Sequence, residues 1–329
     1  MTRLLIMAVL ALGAGLAALP ASAAGLSLIE VSIADASPMA GAVWYPCSTL
    51  PGKVPIGGGP TLPGVKDCPI VGEHLPLIVV SHGFGGNFAS HHDTAEALAD
   101  AGFIVAAITH PADKVRDQNP SGAEAIAALT SRPEDIVHLI DFMLGKWPQA
   151  AKIDPNRIGF FGFSRGGFTG LALAGGKLDT KAAVAAACPP NAVMKACADF
   201  RASGAGVPSI TLVNDPRIKA EVLADPLFGR FFDVSTVLVP IQVWASVAGG
   251  DGVVHEDGAA VANDLPSQPK LYTVPNSAHF VFLAPCGPQL TQTRPDICVD
   301  AAGFDRAAFH AQFNKQIVAF FRAHLAPHS

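Results

Sequence analysis

The chain has 329 residues, half of them apolar, with 32 Gly, 27 Pro and a formal net charge of -5. That much apolar material supports a large buried core, in one big α/β domain or two ordinary ones. The 22 Lys and Arg residues are scattered, and the absence of a basic stripe or block excludes an electrostatic nucleic-acid footprint.

In chain order, the first segment is a targeting signal. Arg3 supplies a positive start, residues 4–19 are apolar and rich in Ala and Leu, Pro20 breaks the run, and Ala21-Ser22-Ala23 fits a small-x-small cleavage site. Cleavage is expected after Ala23. The alternative is a membrane anchor, but the run is short for a bilayer core of about 30 Å. No later segment has about 18 uninterrupted apolar residues, so the mature chain is expected to carry no transmembrane span and to be exported, periplasmic or secreted.

Residues 24–47 read as the opening strands, and 47–73 as a Gly/Pro loop. Leu77-Ile78-Val79-Val80 is the short apolar run of a buried parallel strand, ending in the turn Ser81-His82-Gly83-Phe84-Gly85-Gly86. A helix over 94–101 stops at Gly102, a second buried strand covers 103–108, and a helix over 133–144 starts with Pro133 in its first turn. Arg157-Ile158-Gly159-Phe160-Phe161 is a third strand, followed at once by a Gly-rich turn and a small-residue helix. Residues 176–215, with Pro189-Pro190, interrupt the rhythm and read as an insertion above the sheet, a candidate lid. Residues 237–245 and 270–274 are the last strand candidates. The final helix places Phe309, Phe313, Ile317, Phe320, Phe321 and Leu325 on one face, with Asp305 as its cap. Alternating buried strands and helices predict a parallel sheet covered on both faces in one domain, 24–329.

Six cysteines, all beyond residue 23, suit an oxidising compartment. Six allow 15 pairings, so spacing alone does not decide. They form three sequence-local couples, each bracketing a Pro- or Gly-rich loop, and the expected bonds are Cys47–Cys68, Cys188–Cys197 and Cys286–Cys298. No C-x-x-C pair or Cys/His cluster favours zinc instead.

The chemistry is concentrated in Gly162-Phe163-Ser164-Arg165-Gly166-Gly167. This matches G-x-S-x-G between a strand and a helix, the context of a nucleophile elbow. Ser164 must project from a strained turn, and side chains at Gly162 and Gly166 would collide there. A bland Gly-rich turn with an incidental Ser is the competing reading. A serine hydroxyl needs a base, and in this architecture acid and then His follow the nucleophile. His279 lies just past the strand at 271–274, where a base can reach Ser164. His255, His310, His324 and His328 are the other candidates, those last three placed in or beyond the final helix. Asp251, in Gly249-Gly250-Asp251-Gly252 after the 241–245 strand, is the expected acid, against an ordinary Asp-Gly turn; Asp257 and Glu256 follow. The backbone N–H groups of Phe84 and Arg165 are the expected oxyanion donors. Phe84, Phe280 and Phe282 are candidates to line an acyl pocket. His91-His92-Asp93 could suggest a metal, but reads better as the start of a helix. No cofactor is expected.

The segments around Ser81–Gly86, Arg132-Pro133-Glu134-Asp135, Ser164 and Ala278-His279-Phe280, with the tail from Cys298 to His310, resemble predicted dienelactone-hydrolase-like α/β-hydrolases and platelet-activating-factor acetylhydrolases. The resemblance runs from about Val79 to Leu325. It implies an α/β-hydrolase fold with an eight-stranded, mostly parallel sheet and a Ser-Asp-His triad, here Ser164, Asp251 and His279. Dienelactone hydrolases use a Cys nucleophile, so Ser164 points away from dienelactones and toward carboxylic esters, whether small, lipid or polymeric. An amidase or peptidase on the same triad, and a non-catalytic binding protein on the same fold, are the alternatives.

Overall fold

A computed structural model describes residues 24–33, 37–49, 52–56, 61–113, 119–203 and 210–327. The expected signal peptide and His328 lie outside these residues. Along the chain the strands are β1 (Gly25–Val31), β2 (Met39–Tyr45), β3 (Gly52–Pro55), β4 (Thr61–Lys66), β5 (Leu75–Ser81), β6 (Ile104–Ile108), β7 (Ile153–Phe163), β8 (Lys177–Leu178), β9 (Ile218–Ala224), β10 (Phe232–Asp233), β11 (Ile241–Ser246) and β12 (Leu271–Val274). The helices are α1 (His92–Asp100), α2 (Gly122–Gly145), α3 (Arg165–Leu173), α4 (Thr180–Ala187), α5 (Lys195–Ala202), α6 (His255–Asp264), α7 (Pro288–Thr293), α8 (Pro295–Cys298) and α9 (Arg306–His324).

Ten strands form one sheet in the order β12-β11-β9-β7-β5-β6-β2-β1-β4-β3, and β8 pairs with β10 apart from it. From β12 to β6 every pairing is parallel, whereas β2 runs antiparallel to β6 and to β1. The parallel strands are buried on both faces because helices cover both. Leu77 and Val79 of β5 face a layer containing Ile136, Leu139 and Met143 of α2, Phe168 of α3 and Val261 of α6. Ile78 and Val80 face Leu98 of α1 and Phe313, Ile317 and Phe321 of α9. A strand with both faces in contact must be continuously apolar, which is the Leu77–Val80 signal.

The sheet has ten strands rather than the eight expected. The extra pair is the β3–β4 hairpin, inside the segment read as a Gly/Pro loop. Gly64, at φ 145°, and Pro63 hide its short alternation. The helix expected from Pro133 begins eleven residues earlier, so Pro133 lies inside α2. Its true start is a capping box: the Ser121 hydroxyl accepts the Glu124 N–H at 3.3 Å, and Glu124 accepts the Ser121 N–H at 2.7 Å.

Strand β9 is the most consequential difference. Ile218-Lys219-Ala220-Glu221-Val222-Leu223-Ala224 carries two charges in seven residues, which broke the apolar run expected of a buried strand. Lys219 is exposed, but Glu221 is wholly buried.

Asp305 caps α9, its carboxylate accepting the Ala308 N–H at 2.9 Å. The three disulfides are Cys47–Cys68, Cys188–Cys197 and Cys286–Cys298, with Cα separations of 6.3, 5.2 and 5.7 Å. The described part of 176–215 holds β8, α4 and α5, and the Asp199 carboxylate on α5 accepts the Gly122 N–H of α2 at 3.0 Å. Among the described residues no helix is long and apolar enough to cross a membrane.

Candidate active site

Three strand ends meet at one point. Ser81 ends β5 and pairs with Gly162 of β7, so the turns leaving these strands lie side by side. Ser164 follows β7 at φ 58° and ψ -115°, a left-handed conformation that non-glycine residues rarely adopt. A side chain at Gly162 would collide with the Gly166 carbonyl, and one at Gly166 with the Ser81 carbonyl. Both glycines are therefore required by close backbone approach. Ser164 is the N-cap of α3, so the positive end of that helix lies at the serine. Its N–H donates to the Ala224 carbonyl at 3.0 Å, and its carbonyl accepts the Leu227 N–H at 3.0 Å, tying the elbow to the end of β9.

His279 follows β12, as expected. Its N–H donates to the Gly249 carbonyl at 2.8 Å, and its ring packs on Phe163 with centroids 4.6 Å apart. Its partner is not Asp251. The His279 Nδ1 donates to Asp225 Oδ2 at 2.9 Å, with both side chains 1% exposed. Asp225 is the first residue after β9 and takes φ 44°, which an Asp tolerates better than most residues. Its carboxylate also accepts the Ser246 N–H at 2.7 Å and the Ser246 hydroxyl at 2.6 Å. These three contacts fix the orientation of the carboxylate. With Nδ1 donating, the neutral imidazole presents Nε2 as an acceptor. Nε2 is buried and makes no hydrogen bond among the described residues, Ser164 included. Such catalytic contacts commonly close only when substrate is bound.

Asp251 is exposed, at φ 50° in the tight turn closed by the Gly250–Val253 bridge, and makes no hydrogen bond to His279. A Cβ on its neighbour Gly250 would come 3.2 Å from the His279 Cβ, so this loop runs beside His279. Asp257 is buried but caps α6, accepting the Val254 N–H at 2.9 Å and pairing with Arg230 at 2.8 Å. The missed signal for Asp225 was Asp225-Pro226: a polar residue closing an apolar run, followed by a strand-ending proline.

The loop after β5 closes the other side. A Cβ on Gly83 would come 3.2 Å from the Ser164 Cβ, so this turn lies against Ser164. The Phe84 ring is 51% exposed and carries the Arg165 guanidinium at 4.0 Å from its centroid. The two expected oxyanion residues are thus joined by a cation–π contact. Of the acyl-pocket candidates, Phe84 faces solvent and Phe280 is half-buried beside His279. Phe282 is fully buried against Phe163, Phe309 and Phe313 and belongs to the core instead.

The His91-His92-Asp93 side chains go to three separate partners: the Phe282 carbonyl at 3.1 Å, Glu96 at 2.9 Å and His310 at 2.6 Å. Among the described residues no group of three or more His, Cys, Asp or Glu side chains is arranged to hold a metal. Burial lowers the His91 pKa to about 4, keeping it neutral in the core. The other His candidates have structural partners too: His255 Nδ1 meets the Ser246 carbonyl at 3.0 Å, and the His324 ring packs on Phe320.

Comparison with known proteins gives the same class. The dienelactone hydrolase family model matches residues 68–225, the stretch from Cys68 to Asp225 that carries the elbow. A solved structure, a ferulic acid esterase from Streptomyces cinnamoneus, superposes with a TM-score of 0.62 at 17% identity, covering 92% of this chain and 90% of its own. No curated protein matches the sequence. The fold and the strand-end site define an α/β-hydrolase-fold protein. Within that class, the chain is dienelactone-hydrolase-like, with serine at the elbow.

Proposed function

We propose that the protein is a serine hydrolase of carboxylic esters, working through an acyl-enzyme. The observation that carries this reading is the strained Ser164 elbow beside the buried His279–Asp225 pair. His279 Nε2 takes the Ser164 proton as Oγ attacks the ester carbonyl. Asp225 holds the imidazole in the acceptor tautomer and stabilises the imidazolium that forms. The Phe84 and Arg165 N–H groups stabilise the tetrahedral oxyanion. His279 then protonates the leaving alcohol, and a water activated by the same base releases the acid.

The family match and the esterase neighbour support hydrolysis of an ester. Serine in place of cysteine favours ordinary carboxylic esters over dienelactones. The three disulfides support folding in an oxidising compartment, consistent with export through the apolar N-terminal segment. A p-nitrophenyl ester series from acetate to palmitate tests the reading and reads the acyl length. Wild type turns over at least one member, and Ser164→Ala loses at least about 10³-fold of kcat. Retained turnover in Ser164→Ala contradicts the assignment. Matched anilides separate ester from amide preference.

A further inference from the structure

A second Ser-His-Asp chain lies beneath the elbow, and nothing in the proposed reaction uses it. The Ser81 hydroxyl donates to His110 Nε2 at 2.9 Å, and His110 Nδ1 donates to Asp135 Oδ2 at 2.8 Å. Ser81 and His110 are 0% exposed, so no substrate reaches them. The buried Arg132 of α2 donates from Nη2 to the Ser81 hydroxyl at 3.2 Å and to the His82 carbonyl, and from Nε to the Thr169 hydroxyl at 3.3 Å. Thr169 in turn donates to the Arg165 carbonyl at 2.8 Å. The His110 N–H donates to His82 Nε2 at 3.1 Å, which leaves the proton of neutral His82 on Nδ1, donating to the Gly83 carbonyl at 2.6 Å. Burial and the neighbouring Arg132 keep both imidazoles neutral, as this donor–acceptor order requires.

The last bond in this chain has a geometric consequence. The Gly83 carbonyl and the Phe84 N–H belong to one planar peptide unit, so fixing one fixes the direction of the other. We propose that Arg132, Ser81, His110, Asp135 and His82 form a positioning network that locks the Gly83–Phe84 peptide so that the Phe84 N–H faces the oxyanion. The network acts through the backbone and touches no substrate. It rests on the esterase reading above for its effect on rate, but not for its effect on the loop.

Two variants test it: Ser81→Ala, which removes the hydroxyl shared by His110 and Arg132, and Thr169→Val, which detaches Arg132 from α3. Thermal unfolding first establishes that each is folded; if Ser81→Ala is not, Thr169→Val carries the test. Hydrogen–deuterium exchange of residues 82–86 is the first readout, and it is independent of any substrate. Exchange at the Gly86 amide, which donates to the Gly83 carbonyl at 3.2 Å, is expected to quicken at least tenfold. The second readout is catalysis on the best p-nitrophenyl ester. The expected result is a 10- to 100-fold loss of kcat with KM within threefold, and a parallel loss of affinity for a trifluoromethyl ketone that forms a tetrahedral adduct. Unchanged exchange at residues 82–86 overturns the proposal, as does a kcat within twofold of wild type. If wild type turns over no ester, the functional reading fails, and the exchange result alone decides the positioning claim.

Discussion

The two aspartates near His279 differ in environment more than in distance along the chain. Asp225 is buried with three donors on its carboxylate, whereas Asp251 is exposed in a turn with none from His279. Asp225→Asn should therefore cost about 10³- to 10⁴-fold in kcat, because it disturbs the imidazole tautomer and the imidazolium. Asp251→Asn should stay within about threefold. Kinetics of the two variants on one ester separate them, and the reverse ranking would reinstate Asp251. Glu221 poses a different problem. It is fully buried in β9, neither carboxylate oxygen has a hydrogen-bond partner among the described residues, and burial raises its pKa well above the usual glutamate range. In the unfolded chain it ionises near its ordinary pKa of about 4.3, while the folded chain keeps the proton. The unfolded state therefore releases protons first, and stability falls as pH rises above that value. Urea unfolding of Glu221→Gln at several pH values should show a midpoint advantage over wild type that grows with pH. An advantage independent of pH would mean that Glu221 is not neutral in the fold.

Most elements declared themselves by pattern, and the failures have physical causes. Buried parallel strands such as β5 and β6 read directly as apolar runs, and α9 as an apolar stripe. Strand β9 did not, because its outward Lys219 and inward, neutral Glu221 look alike as charges in a sequence. Without β9 the partner of His279 had to be sought after β11, which is how Asp251 was expected where Asp225 stands. The capping box at Ser121 was legible but lay twelve residues before Pro133, which drew attention as a first-turn residue. The three disulfides were legible as couples because each spans a short loop. Cys47–Cys68, with 21 residues of separation, ties the end of β2 to the residue just beyond the Asp67 turn after β4. Closing a loop of that length stabilises the fold by about 3 kcal/mol in the chain-entropy view. The double variant Cys47→Ser/Cys68→Ser should lose roughly that amount in chemical denaturation, and an unchanged midpoint would contradict the role.

At the scale of the molecule, the order of the chain and the order of the sheet combine to make the site. Ser164, Asp225 and His279 follow three parallel strands, β7, β9 and β12, and the loop after β5 lies against the Ser164 turn from the adjacent strand. The fold class, and the placing of Ser164 and His279 just past strand ends, could be read from the sequence because each depends on local pattern. The pairing of His279 with Asp225 and the network under the Gly83–Phe84 loop could not, since they depend on which strand ends are brought together. In the proposed reaction Ser164 is a nucleophile driven by His279. Fluorophosphonate labelling followed by peptide mapping tests it most directly. The expected result is a single adduct on the peptide carrying Ser164, absent in Ser164→Ala and formed at least about 10²-fold more slowly in His279→Ala. An adduct on another residue, or wild-type labelling of Ser164 without His279, would contradict it.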